Sequence, residues 1–529
     1  MVEAFGGDDD LSGEVLRTVG GEDNAAEAAA AISGLVWLLG SPSIADAAKA
    51  SAAGAFAALA ADSRENKDRI AGTPGAIDVL VRCSLQGGEK TRASAAMALA
   101  NLVEDHAENK LLLASAPSIL PALHALLLVG SEKARWHASR LVASLATLPQ
   151  LREPIAAEGR ILDELVRLMR QGSEEATASA ACALANLTDQ SDANLARVAA
   201  AHKAVSSIVN TAGGSAPAAR SHAVRALANL ASAPALKDDI ARAPRAIAAL
   251  VQALEEEGGV TQSNAAAAIG NLAHDHAANK ELLVRAPRAL AALTAALRRG
   301  THDCRRNSAA ALANLCFGHA ENKLALAQHP GTLDALVWSL CEARDDCRSY
   351  AACCLAHLAT ASRAIQGRIA AADRAVAGLV ECARTGGGET VSNATAALAN
   401  LAERNEANKS AIGAAQRCIA TLFRVAATGE QPQAVCNATC ALANLAADHR
   451  PNKRAVGATP GAFQIMVQLV ASGSAETQGN AACALANMVA DERDAQATPC
   501  PPRPPLLYLT GCQKISGSLC RSRDWRNCS

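Results

Sequence analysis

An all-α solenoid of about eleven three-helix repeats is the fold class this sequence predicts. Three observations lead there. A phrase of the form "ALANL" returns along the chain, with equivalent positions at Ala58, Asn101, Ser144, Asn186, Asn229, Asn271, Asn314, His357, Asn400, Asn444 and Asn487, spaced 42 to 44 residues apart. A period in the low forties belongs to two- or three-helix solenoid repeats. Half of the 529 residues are apolar and only 2% are aromatic, which suits close stacking of alanine-rich helices better than a core built on large rings. Pro- and Gly-containing breaks fall at regular places between apolar stretches of helical period.

Each repeat divides in the same order. "NKLLLAS" from Asn109 is a short helix, and Asn109 is placed to cap its amino end. The same cap is expected at Asn66, Asn279, Asn322, Asn408 and Asn452, each followed by Lys. Pro or Gly then breaks the chain, as in "TPGAID" at Thr73 and "HPGTLD" at His329. A middle helix such as "AIDVLVRCSL" from Ala76 follows, and then a Gly-containing turn ("QGGEK", "RQGSEE", "ASGSAE"). The third and longest helix carries the repeated asparagine.

On that helix Ala95, Leu99 and Leu102 form an inward apolar stripe. At 100° per residue Leu99 lies about 160° from Asn101, so the asparagine is expected away from the core. Seven residues earlier, on the same face, the chain reads Ser94, His137, Ser179, His222, Asn264, Asn307, Tyr350, Asn393, Asn437 and Asn480. Five repeats therefore present two asparagines each, which stacking would align into two polar rows.

Short, middle and long helices carrying "ENK", "GAI", "LV" and "ALANLA" resemble the armadillo repeat, in the form found in vacuolar and plant-type armadillo proteins. The resemblance covers residues 13–490 and implies one right-handed superhelical array. It also implies a function, because in that family the long-helix asparagine lines a concave groove and grips the backbone of an extended peptide. On that implication the peptide-binding candidates are Asn101, Asn186, Asn229, Asn271, Asn314, Asn400, Asn444 and Asn487, assisted by Asn264, Asn307, Asn393, Asn437 and Asn480. A carboxamide both donates and accepts, so it can pair with the N–H and C=O of a strand-like chain. The expected function is a non-enzymatic scaffold or adaptor that holds extended or disordered segments of other proteins. The row is interrupted at Ala58, Ser144 and His357; Trp136 and His137 precede the second of these breaks, and Tyr350 the third.

Two alternatives stand beside it. A nuclear-transport type of cargo receptor pairs its asparagine with a tryptophan four residues earlier. Here that position holds Met97, Cys182, Arg225, Ala267, Ala310, Cys353, Ala396, Cys440 and Cys483, so only a receptor without the tryptophan array fits. A metal-dependent enzyme on a helical-repeat scaffold is the other. No histidine is followed by Glu, no zinc spacing is completed, and neither a phosphate-cradling glycine motif nor a nucleophile elbow is present. The histidines that recur after the long helix, His106, His276, His319 and His449, repeat because their loop repeats. No catalytic residue, metal or cofactor is expected.

A net charge of −1 and the lack of a basic stripe argue against nucleic-acid partners. No apolar run reaches about 18 residues, and Met1-Val2-Glu3 carries neither the glycine nor the cysteines of a lipidation signal. Neither membrane insertion nor a lipid anchor is therefore expected. Seventeen cysteines without paired spacing suit a reducing cytoplasmic or nuclear setting. Residues 1–12 read as an acidic disordered terminus and 491–529 as a Pro-, Arg- and Cys-rich disordered tail.

Overall fold

The computed structural model describes residues 25–490 apart from 62, 159, 257 and 258. The expected terminal segments 1–12 and 491–529 lie outside the described residues. The chain divides into two compact units, Met1–Ala249 and Leu250–Ser529, and the division falls inside the helix Ala246–Glu255. The repeat register continues across this point, which is why repetition in the sequence does not reveal it.

Among the described residues every regular element is helical. In the first unit the long helices are Asp46–Ala61, Glu89–Val103, Glu132–Leu145, Glu174–Leu187 and Pro217–Leu230. In the second they are Val260–Ala273, His302–Cys316, Asp345–Ala359, Gly388–Ala402, Pro432–Ala446 and Ala475–Val489. Within each unit successive long helices pack on one another. Alanine makes that contact close, with Ala95, Ala138 and Ala180 in one unit and Ala309, Ala351 and Ala394 in the other all fully buried. The middle helices lay an amphipathic face against this layer through residues such as Leu80, Leu165 and Leu336, each contributing about 1.5–3 kcal/mol by leaving water.

The short helices correct one expectation. Asn109 does not cap its helix. His106 does, with its Nδ1 accepting from the Asn109 N–H at 3.3 Å. His276, His319 and His449 cap in the same way, while Ser63, Ser191 and Asn405 supply an oxygen instead. The residue before the cap is left-handed, at φ 54° in Asp105, 50° in Asp275 and 52° in Asp448. The following residue then starts from extended backbone, as an N-cap requires.

The asparagine two positions inside the helix is buried and acts as a strut. Asn109 Nδ2 donates to Leu102 O at 3.1 Å and to Lys67 O at 3.3 Å, and Asn452 Nδ2 donates to Lys409 O and Leu445 O at 2.9 and 3.2 Å. Asn194, Asn279, Asn322 and Asn408 reach the matching leucine carbonyl seven residues back. The lysine after it reaches forward: Lys67 Nζ donates to Glu104 O at 2.7 Å and Lys280 Nζ to Phe317 O at 2.6 Å. A cation there complements the partial negative charge of a long-helix carboxyl end. The Asn-Lys dipeptide thus ties together the ends of two successive long helices.

Among the described residues no single helix is long and apolar enough to cross a membrane. Two pairs reach that length and composition together, Ala107–Ala114 with Ile119–Val129 and Arg450–Gly457 with Ala462–Ser472, and they are bent by 91° and 85°.

Candidate binding surface on the long helices

The repeated amides occupy one strict geometry. Asn101 Nδ2 donates to Ala57 O at 2.9 Å, Asn186 to Ala143 O at 2.8 Å and Asn229 to Ala185 O at 2.9 Å. In the second unit Asn314 donates to Gly270 O, Asn400 to Ala356 O, Asn444 to Ala399 O and Asn487 to Ala443 O, all at 3.0 Å. Each acceptor is the carbonyl one residue before the equivalent position of the preceding repeat. Every amide therefore spends one N–H clasping the long helix behind it. The clasp leaves the oxygen unused; the Nδ2 of Asn229 also reaches Thr188 Oγ1 at 3.3 Å, and those of Asn186 and Asn444 reach Sγ of Cys182 and Cys440 at 3.8 Å.

The oxygens differ between the units. Asn101 Oδ1 accepts from Nη1 and Nη2 of Arg140 at 3.3 Å, and Asn186 Oδ1 from Arg225 Nη2 at 2.6 Å. Arg140 and Arg225 sit four residues before their own repeat's position in the row. In the second unit that place is taken by Ala310, Cys353, Ala396, Cys440 and Cys483, whose side chains are too short to donate there. Among the described residues nothing donates to Oδ1 of Asn314, Asn400, Asn444 or Asn487. These four side chains are half-buried, each with a face to solvent. Asn271 is buried.

The earlier row does not stand in a groove. Asn264, Asn307, Asn393, Asn437 and Asn480 are only 1–8% exposed. Asn307 Nδ2 donates to the carbonyl and hydroxyl of Ser263, both at 3.1 Å, and Asn393 does the same to Ser349 at 3.2 and 3.0 Å. Asn437 reaches Ser392 O at 3.0 Å and Asn480 reaches Cys436 O at 3.3 Å. The expectation that this row assists a ligand is corrected. The amides of Asn307, Asn393, Asn437 and Asn480 lie between adjacent long helices, where they satisfy buried carbonyls and hydroxyls, and Asn264 is buried with its Nδ2 lacking a hydrogen-bond partner among the described residues.

The interruptions have local explanations. Ser144 Oγ donates to Val103 O at 3.3 Å, so a hydroxyl replaces the amide as a link to the preceding helix. His357 is buried, with Nε2 3.3 Å from Cys353 Sγ and its ring 5.1 Å from that of Phe317. Trp136 stacks on His137 at 4.6 Å, and the Arg140 guanidinium lies 5.9 Å from the indole. Burial, and then the charges of Arg140 and Lys133, push His137 down to about 4. Burial and Arg225 do the same to His222.

The one metal-like grouping among the described residues is Asp68, His106 and Glu108. Both ring nitrogens of His106 are already engaged there, Nε2 with Asp68 Oδ1 at 2.8 Å and Nδ1 with the helix N–H it caps.

Repeated three-helix units, joined by inter-repeat clasps along their long helices, define an armadillo-like α-solenoid. The comparisons agree at the level of the fold. The chain is similar to a structure from work on a phosphorylation switch that controls the interaction between cadherin and beta-catenin, with a TM-score of 0.70 at 15% identity, covering 90% of this chain and 99% of that one. It is also similar to an engineered protein, with a TM-score of 0.55 at 23% identity, covering 86% of this chain and 98% of that one. No family model matches the sequence, and no curated protein matches it.

Sequence reasoning found the asparagine row and missed the arginines that shade it. In the sequence Arg225 reads only as a position without tryptophan, and Arg140 falls in a repeat that lacks the asparagine. A signal was available: a long cationic side chain stands one helical turn before the row in two repeats and a short one stands there in most others.

Proposed function

We propose that this protein is a non-enzymatic interaction scaffold that holds an extended segment of a partner protein against its long helices. The observation that carries the reading is the set of amide oxygens at Asn314, Asn400, Asn444 and Asn487, to which nothing among the described residues donates. Each is fixed in place by its own clasp, so little order is lost when a ligand N–H arrives. Asn229 belongs to the same row in the first unit, and Asn101 and Asn186 join it when Arg140 and Arg225 leave their oxygens. A row of acceptors at repeat spacing suits main-chain donors, which every partner sequence possesses.

Magnitudes bound the grip. Four hydrogen bonds at about 0.5–1.5 kcal/mol each give about 2–6 kcal/mol, and ordering a flexible ligand costs about 2–5 kcal/mol. Backbone capture alone is therefore weak, and side-chain contacts must supply the rest. The buried Cys353–His357 pair supports a reading without catalysis, since a nucleophile needs access to substrate. The thirteen cysteines among the described residues are all free, which supports a reducing cytoplasmic or nuclear setting.

The test is a backbone-methylation scan. Short random peptides are displayed and selected on the full-length chain, and the best binder is resynthesised with single N-methyl amides. Loss of about tenfold in affinity at alternate residues is expected, because one edge of an extended strand faces the amide oxygens. Tolerance of methylation at every position sinks backbone capture.

A further inference from the structure

Arg225 differs from its equivalent Arg140 in one respect that matters. Arg140 has a counter-charge, with Nη2 2.9 Å from Glu104 Oε2. Arg225 has none among the described residues. Its Nη2 donates to Asn186 Oδ1 at 2.6 Å and reaches Cys182 Sγ at 3.8 Å, both neutral, and its Nε is buried without a hydrogen-bond partner. The nearby His222 cannot compensate it, being an imidazole held neutral above about pH 4 by burial and by Arg225 itself. The guanidinium also covers the amide it binds. Asn186 is 9% exposed, while Asn229, one repeat on, remains half-buried.

A half-buried guanidinium that lacks an anion gains most from a planar carboxylate, which can take two of its N–H groups at once. A phosphate dianion asks for a second cation, and Arg140 is already occupied by Glu104. We propose that Arg225 is the specificity-determining residue of the first unit. It takes the side-chain carboxylate of an Asp or Glu in the extended partner segment. In doing so it leaves Asn186 Oδ1, which then accepts a backbone N–H from the same segment. Capture at Asn186 is thus conditional on an acidic residue, whereas capture in the second unit is not. The inference rests on the peptide-capture reading above and adds the chemistry of the partner.

The experiment is the same display of short random peptides, selected in parallel on the full-length wild-type chain and on its R225Q and R225K variants. Wild type is expected to enrich Asp or Glu about tenfold at one register of the selected peptides. Arg225→Gln abolishes that enrichment while peptides are still captured, and Arg225→Lys retains part of it. Capture without acidic enrichment by wild type, or equal enrichment by R225Q, overturns the role of Arg225 alone. Failure of wild type to capture any peptide overturns the peptide reading and this inference with it. Should R225Q fold poorly, R225K carries the comparison, since it must keep an acidic bias weaker than that of wild type.

Discussion

The two units are built from one repeat and yet present different surfaces. In the first, arginines from the next long helix lie on the amide oxygens of Asn101 and Asn186. In the second, cysteine stands in the arginines' place beside Asn314, Asn400 and Asn444, and among the described residues nothing donates to their oxygens or to that of Asn487. The second unit also carries the buried struts Asn307, Asn393, Asn437 and Asn480, where the first has Ser94, His137, Ser179 and His222. The clasps that hold long helix to long helix are the same in both. The difference teaches that stacking and ligand access are set by separate positions on one helix, so a repeat can change its binding character without changing its architecture.

That comparison can be broken where the units are said to be alike. Asn109→Ala and Asn452→Ala each remove a buried amide that serves two carbonyls. Each should cost about 2–3 kcal/mol, read as the urea midpoint of the affected unit. Unequal losses would mean that the struts are not equivalent. The comparison sharpens where the units differ. Cys440→Arg places an arginine before Asn444 and beside Asn400, as Arg225 stands to Asn186. Peptide affinity should fall about tenfold with the far-ultraviolet circular dichroism unchanged; undiminished affinity would show that arginine shading does not govern access.

Smaller effects follow from single clasps. Asn314→Ala removes one hydrogen bond from a half-buried amide to Gly270 O and should lower stability by about 0.5–1.5 kcal/mol, measurable as a modest drop in the urea midpoint. A drop as large as that from Asn452→Ala would mean the row is mainly structural. The last prediction concerns pH. His137 and His222, both in the first unit, have folded values near 4 against 6.5 unfolded. Between those limits the unfolded chain binds protons that the folded chain does not, so their contribution is full above pH 6.5 and is lost as pH falls toward 4. The thermal midpoint of the first unit should decline over that window, and His137→Asn with His222→Asn should flatten the decline. An unaltered slope in the double variant would assign the decline to other groups.

The register, the order of three helices and the asparagine row were all legible in the sequence, because each repeats in identity and spacing. The cap was not. In "EDHAENK" both His106 and Asn109 can cap, and asparagine ranks higher by propensity. What decides for His106 is the left-handed Asp105 before it. The burial of the earlier row was equally hidden. Positions seven apart differ by about 20° around a helix, so a wheel projection puts Asn307 and Asn314 on one face. Only the neighbouring helix covers one and leaves the other partly open.

What this sequence determined by itself was period, helix order and which residue types recur, since those follow from local spacing and the demand that each repeat bury its stripe against the next. What only the tertiary structure decided was the state of each amide. A hydrogen bond is short and directional, and the group that occupies Asn186 Oδ1 lies 39 residues further along the chain. No local pattern can show whether a side chain from the next helix arrives there or leaves the oxygen to a visitor.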